Sequence, residues 1–208
     1  MTLKRIPYYL LAFFGVGVGL YPILYFLIDR KFGLLNSKTD ALLADLLWNG
    51  MFYTHIILGG ISLIIGWIQF NKKFQRTRIQ LHRNIGKVYM NSVFLSGIAG
   101  VYIGYHATGG IISQAGFISL GIVWLYTTFI GYTSIKKKDI NTHQKMMIYS
   151  YAACFAAATL RIWLPLLTMA FGEFLTAYKI VAWLCWLPNM IVAYFIIKKT
   201  FKPKLEVV

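Results

Sequence analysis

Apolar residues in this chain neither alternate nor form narrow amphipathic stripes. They run on for about twenty positions at a time, the length a helix needs to cross a bilayer, and are interrupted by short clusters of Lys, Arg, Asp and Asn. Six stretches reach that length, at roughly 6–28, 46–70, 84–105, 111–135, 146–171 and 180–197. The pattern predicts an all-α fold, a bundle of six transmembrane helices forming one domain over 1–208. Stretches two to five, about 46–171, are expected to form its core, with the first and last peripheral. The first stretch follows Lys4 and Arg5 as a signal-peptide core would, but it is longer than such a core. It ends at Asp29-Arg30-Lys31 without a small-residue cleavage pattern, so it reads as a retained helix.

Composition agrees: 58% of residues are hydrophobic and 13% charged, with a mean hydropathy of +0.62. A soluble domain has about 45–50% apolar and about 25% charged residues, so a soluble globular enzyme is excluded. The net charge of +15 gains meaning from its placement. Lys4 and Arg5, then Lys72, Lys73, Arg76, Arg78, Arg83 and Lys87, then Lys136, Lys137, Lys138 and Lys145, then Lys198, Lys199, Lys202 and Lys204 all fall on one side of the bundle. Only Arg30, Lys31, Lys38 and Lys179 fall on the other, and Arg161 lies inside a stretch. Basic loops stay cytoplasmic, so the expectation is a multi-pass protein of the bacterial cytoplasmic (inner) membrane with both termini inside. The same rule accounts for the charge without nucleic acid as a partner; the lipid bilayer is the expected one.

Thr39 can cap a helix with Asp40 in its first turn, so the second helix is expected to begin outside the membrane. Trp48, Tyr105, Tyr178, Trp183 and Trp186 fall near the outer boundary and read as an interfacial aromatic belt. Cys154 and Cys185 sit on different stretches and match no metal spacing. No P-loop, dinucleotide fingerprint, zinc motif or hydrolase elbow is present. Two basic loops each end in a histidine that opens the next helix, Leu81-His82-Arg83 and Thr142-His143-Gln144, which suggests a parallel internal repeat.

The four histidines carry the candidate chemistry. Membrane haem b is commonly held by two neutral imidazoles from different helices. The sequence offers an inner pair, His82 with His143, and an outer pair, His55 with His106, although His106 falls on a different helix face and reads better as a loop histidine. Small residues follow His55 (Gly59, Ser62, Gly66) and His82 (Gly86, Gly97, Gly100, Gly104) at helical spacing, admitting either a flat cofactor or close helix packing, as Gly15-x-x-x-Gly19 also would. His143 and Arg161 share a face through Met147, Ser150, Cys154 and Ala157. An arginine within a span is a functional candidate that can hold a haem propionate, a quinone oxygen or a carboxylate. Snorkelling, or pairing with Glu173, is the plain alternative. For His82 and His143 the plain alternative is a seat among lipid phosphates. Asn91 and Asn189 read as interhelical hydrogen-bonding groups.

The segments His55-x-x-x-Gly59, His82-Arg83-x-x-Gly86-Lys87-x-Tyr89, His143 through Ser150-Tyr151-Ala152, Phe155 to Arg161, and Trp183-Leu184-Cys185-Trp186-x-Pro188-Asn189 resemble the bacterial integral-membrane family catalogued as domain of unknown function 2306. The resemblance covers roughly 48–194 and implies a polytopic inner-membrane protein in which His55, His82, His143, Arg161 and Asn189 matter. A looser likeness, at the level of fold, is to cytochrome b561-type bundles. The first functional expectation is therefore a haem-b-binding electron carrier that exchanges electrons with quinone or a redox partner. In it His82 and His143 are the iron ligands, with His55 and Arg161 as further cofactor-binding residues. The alternative is a non-redox membrane protein, a small-molecule carrier or an assembly or scaffold factor, whose His and Arg are structural. Enzymatic activity and oligomeric state are not read from the sequence.

Overall fold

The computed structural model describes residues 6–28 and 31–201; Lys4, Arg5, Asp29, Arg30, Lys202 and Lys204 lie outside them. The described residues form helices and turns with no strand. In order these are α1 (Ile6–Leu20), α2 (Leu24–Leu27), α3 (Asp40–Ala44), α4 (Leu46–Gly66), α5 (Lys72–Thr77), α6 (Ile79–Tyr105), α7 (Ile111–Lys136), α8 (Ile140–Cys154), α9 (Ala156–Phe171), α10 (Phe174–Leu184) and α11 (Leu187–Thr200). Six helical spans are long and apolar enough to cross a membrane: Tyr8–Leu27, Leu46–Phe70, Ile79–Tyr105, Ile111–Lys136, Ile140–Phe171 and Phe174–Thr200. Alternation of the spans puts the lysine-rich segments at one end, here the basic end, and the segments 31–45, 106–110 and 172–173 at the far end.

Spans three, five and six begin five or six residues earlier than the apolar stretches suggest. For spans three and five the reason is local: the first turns, Ile79-Gln80-Leu81-His82 and Ile140-Asn141-Thr142-His143, are polar and lower the hydropathy without breaking the helix. Asp139 accepts a hydrogen bond from Thr142 N at 2.9 Å and so starts α8 at Ile140. Thr39 does cap a helix, at 3.3 Å from Leu42 N, but that helix is the separate α3. The chain then turns at Asp45, whose carboxylate accepts from Trp48 N at 2.7 Å and starts α4. The outward extension of the second span is thus a detached turn.

The last two spans are both broken near their middles. Pro188 explains the gap between α10 and α11, since it lacks the N–H that would continue the helix. The break at Phe155, between α8 and α9, has no such residue and is held from outside. Asn189 Nδ2 reaches the carbonyl of Cys185 at 3.0 Å, Thr159 Oγ1 at 3.1 Å and the carbonyl of Ala152 at 3.3 Å. Thr159 Oγ1 donates to the Cys185 carbonyl at 2.5 Å. The interhelical role expected of Asn189 is what the structure has; Asn91, by contrast, lies exposed on α6. Interhelical hydrogen bonds in membranes average about 0.6 kcal/mol each, so Asn189→Ala is expected to cost roughly 1 kcal/mol, read as a lower midpoint of unfolding in detergent.

Consecutive spans pack side by side, α4 on α6, α6 on α7 and α7 on α8, with α1 against α4 and α10 against α7 and α9. Lipid offers no hydrophobic gain for helix association, so close backbone approach supplies the attraction. A Cβ on Gly60 would lie 2.5 Å from the carbonyl oxygen of Gly19, which fixes the crossing of α1 and α4.

Candidate functional site

One cavity of about 220 Å³ runs from the far end toward the middle of the bundle. Its wall is largely aliphatic and aromatic, and it carries five nitrogen-bearing side chains: His55, Arg161, Lys38 and Trp48, with Trp124 at the middle of the bundle. Each reaches the cavity by a different local cause.

His55 projects from α4 toward α6, where Gly100 leaves room for the ring; a Cβ on Gly100 would lie 2.8 Å from Nδ1. Ser96 Oγ gives its proton to the His55 carbonyl at 2.9 Å, and the Ser96 carbonyl lies 2.9 Å from His55 Nδ1. A carbonyl can only accept, so Nδ1 carries the hydrogen and Nε2 keeps the lone pair of a neutral ring. That is how a ligand-binding imidazole is normally oriented.

Arg161 lies on α9, about 15 Å from that helix's far end by rise per residue. Its Nη1 donates to the Ala157 carbonyl at 2.8 Å, its Cζ lies 4.2 Å from the ring centroid of Tyr21, and Nε is buried without a partner. The pairing with Glu173 weighed from the sequence does not form, because Glu173 accepts from Thr176 Oγ1 at 2.5 Å. The shared face of His143 and Arg161 leads to two places: Cys154, Ala157 and Arg161 line the cavity, whereas His143 lies at the basic end.

Lys38 and Trp48 were not singled out as site residues by the sequence. The 3-10 turn Gly33–Ser37 folds over the far-end mouth, and Lys38 Nζ donates to the His106 carbonyl at 2.6 Å and to Thr108 Oγ1 at 3.1 Å. Ser37 Oγ lies 3.1 Å from Thr108 Oγ1 in the same clasp. Burial lowers the Lys38 pKa to about 8. The folded protein therefore holds less proton than the unfolded chain between about 8 and the ordinary lysine value of 10.5. Stability should rise with pH across that window, and Lys38→Met should flatten the rise in a thermal unfolding series.

Trp48 is only 2% exposed, stacked on Phe52 at 5.2 Å, with its Nε1 lacking a partner. The aromatic belt therefore needs correcting. Trp48, Tyr178 and Trp186 are buried inside the bundle, Trp183 is half-buried and Tyr105 is exposed. One signal was available: Trp48, Phe52, His55 and Gly59 recur at helical spacing and form a single inward face.

His106 does not join His55. It ends α6 with its ring against Tyr102 and Tyr105 at 5.2 and 5.3 Å, and only its carbonyl serves the clasp. His82 and His143 both lie at the basic end, each the fourth residue of its helix. His143 Nδ1 lies 2.8 Å from the Gly131 carbonyl, and His82 Nδ1 is buried without a partner. Neither lines the cavity. Between the two places Tyr89, Ser150 and Thr128 share hydroxyl hydrogen bonds of 2.8 and 2.7 Å, which satisfy the polar groups of the core.

No curated protein and no solved structure matches this chain. Residues 52–197 match the family described as "Predicted membrane protein (DUF2306)", and they hold His55, His82, His143, Arg161 and Asn189. With more than two thirds of its length in that match and six spans in its fold, the chain belongs to the DUF2306 family of predicted membrane proteins.

Proposed function

We propose that this protein binds an amphipathic small molecule in the far-end cavity and acts as a carrier or binding protein of the bacterial cytoplasmic membrane. The positive-inside rule puts the basic end in the cytoplasm and the cavity mouth on the outer side. One observation carries the reading. Side chains of the apolar cavity wall carry buried polar atoms that no protein group satisfies, Trp48 Nε1, Trp124 Nε1 and Arg161 Nε, while the bond at His55 Nδ1 leaves Nε2 free. Buried donors are normally paired, and a mostly apolar pocket with a few such groups is the usual form of a small-molecule site. The test is native mass spectrometry of protein extracted in lipid nanodiscs. A bound mass lost in Ala157→Leu, a variant that fills the cavity, supports the reading. A folded wild-type protein with no bound mass, and no small molecule recovered on denaturation, counts against it.

A second reading, haem b between His82 and His143 with quinone as the electron partner, is favoured by their matched positions and by His143 Nδ1 on the Gly131 carbonyl. That bond leaves Nε2 free for iron, the usual arrangement of a ligating histidine. Such a haem could not use Arg161 for its propionates, since 18 residues of helix span about 27 Å. Arg83 and Lys87 are the nearer cations in sequence. A dithionite-reduced minus oxidised spectrum with a sharp α band, abolished in His82→Ala and His143→Ala, supports this reading; folded protein from haem-sufficient cells without the band overturns it.

A further inference from the structure

We infer that the ligand of the cavity is an amphipathic anion, whose acidic head is held by Arg161 within reach of Lys38 and Trp48 and whose apolar body lies toward the middle of the bundle. The inference rests on the binding role proposed above and names the class of ligand.

Charge balance is the first argument. Two cationic side chains line one cavity, and no carboxylate does. Among the described residues every acid is engaged elsewhere: Asp40 with Lys31, Asp45 with Trp48 N, Asp139 with Thr142 N and Glu173 with Thr176. A guanidinium within a span is costly without an opposite charge, and the Ala157 carbonyl and the Tyr21 ring offset only part of that cost. An anion bound there would offset the rest.

Hydrogen-bonding sense is the second argument. The unsatisfied groups are chiefly donors, namely Arg161 Nε, Trp48 Nε1, Trp124 Nε1 and the third N–H of Lys38, whose other two reach His106 and Thr108. The indole N–H of Trp48, like that of Trp124 in the same wall, is buried without a partner and so has been removed from water for no visible return. A carboxylate, phosphate or sulfonate offers several acceptor sites to such donors, and Arg161 can bind it with a planar fork.

The route argues for an apolar body. A second pocket adjoins the cavity and shares Tyr25, Leu34, Leu160 and Arg161 with it, extending past Tyr21, Pro165 and Phe174. Arg161 thus stands where the two meet. A tail entering between α2, α9 and the start of α10 passes from the bilayer, and its head comes to rest at the guanidinium.

The test uses the full chain in nanodiscs of phosphatidylcholine and four probes: dodecanoate, dodecanol, dodecyltrimethylammonium and butyrate. Binding is read as a saturable rise in the thermal unfolding midpoint. Dodecanoate should half-saturate at a concentration at least about tenfold lower than dodecanol, a difference of about 1.4 kcal/mol. Arg161→Gln should bring dodecanoate to the level of dodecanol without changing dodecanol, and Arg161→Lys should fall between. Equal binding of dodecanol or of the ammonium probe would overturn the anionic head while leaving the binding role standing. Equal binding of butyrate would overturn the apolar body. An Arg161→Gln protein that folds and keeps the dodecanoate preference would overturn the placement of the head. Folded wild-type protein that binds none of the four, and carries no bound mass from its own membranes, would remove the binding role itself.

Discussion

Gly100→Leu is expected to abolish ligand binding and lower stability together. Any side chain at this position begins 2.8 Å from His55 Nδ1 and 2.9 Å from Cε1, so the imidazole must leave its seat. Its hydrogen bond to the Ser96 carbonyl is then lost, together with the 3.2 Å approach to Ser96 Oγ, the other acceptor beside Nδ1. A buried group left unpaired costs about 1–3 kcal/mol, and overpacking adds about 1–3 kcal/mol more. The displaced ring and the new isobutyl group would both occupy the cavity. Gly100→Ala should give a smaller version of both effects, because the obstacle is a side chain that can tilt. The measurement is the unfolding midpoint in detergent together with the bound mass in nanodiscs. A leucine variant as stable as wild type would mean that the tight fit of His55 on Gly100 does not matter.

Gly60→Val is expected to be the most damaging single change at the crossing of α1 and α4. A Cβ there would lie 2.5 Å from the Gly19 carbonyl oxygen and 3.3 Å from Pro22 Cγ, and both sit on a backbone that cannot yield alone. The two segments must separate, with a cost of about 3 kcal/mol or more at the upper end of overpacking. The consequence is functional as well, since Tyr21, three residues before Leu24 of α2, stacks on Arg161. A shift of α1 would draw that ring from the guanidinium and widen the passage beside it. Unfolding in detergent should show a midpoint several degrees lower, and dodecanoate binding should weaken with it. Wild-type stability in this variant would contradict the close crossing of α1 and α4.

The number and order of spans were legible because length and apolarity in a bilayer are set by local sequence alone. Their starts were not, because the polar first turns at Ile79 and Ile140 are helical for reasons of capping and hydrogen bonding that hydropathy does not register. Pro188 announced one break; Phe155 announced nothing, since its break is stapled by Asn189 from another helix. At the site, Arg161 and His55 were visible as rare polar residues within apolar runs. Lys38 was hidden because only tertiary folding brings its loop over the mouth, and Trp48 because a tryptophan near a span's end looks the same whether it faces lipid or the interior. His143 and Arg161 lie on α8 and α9, either side of the break at Phe155, and only Arg161 lines the cavity; helical spacing along one apolar stretch does not by itself make one site.

The central claim is that a ligand lies between His55 and Arg161. The most direct measurement is an electron cryo-microscopy map of the protein in nanodiscs made from its own membrane lipids, with a bound antibody fragment for alignment. The account predicts elongated non-protein density in the cavity, its head within hydrogen-bonding distance of the Arg161 guanidinium and its body toward Leu63 and Trp124. A well-resolved cavity that holds only solvent, or one closed by side chains with Arg161 turned out to the lipid, would contradict it.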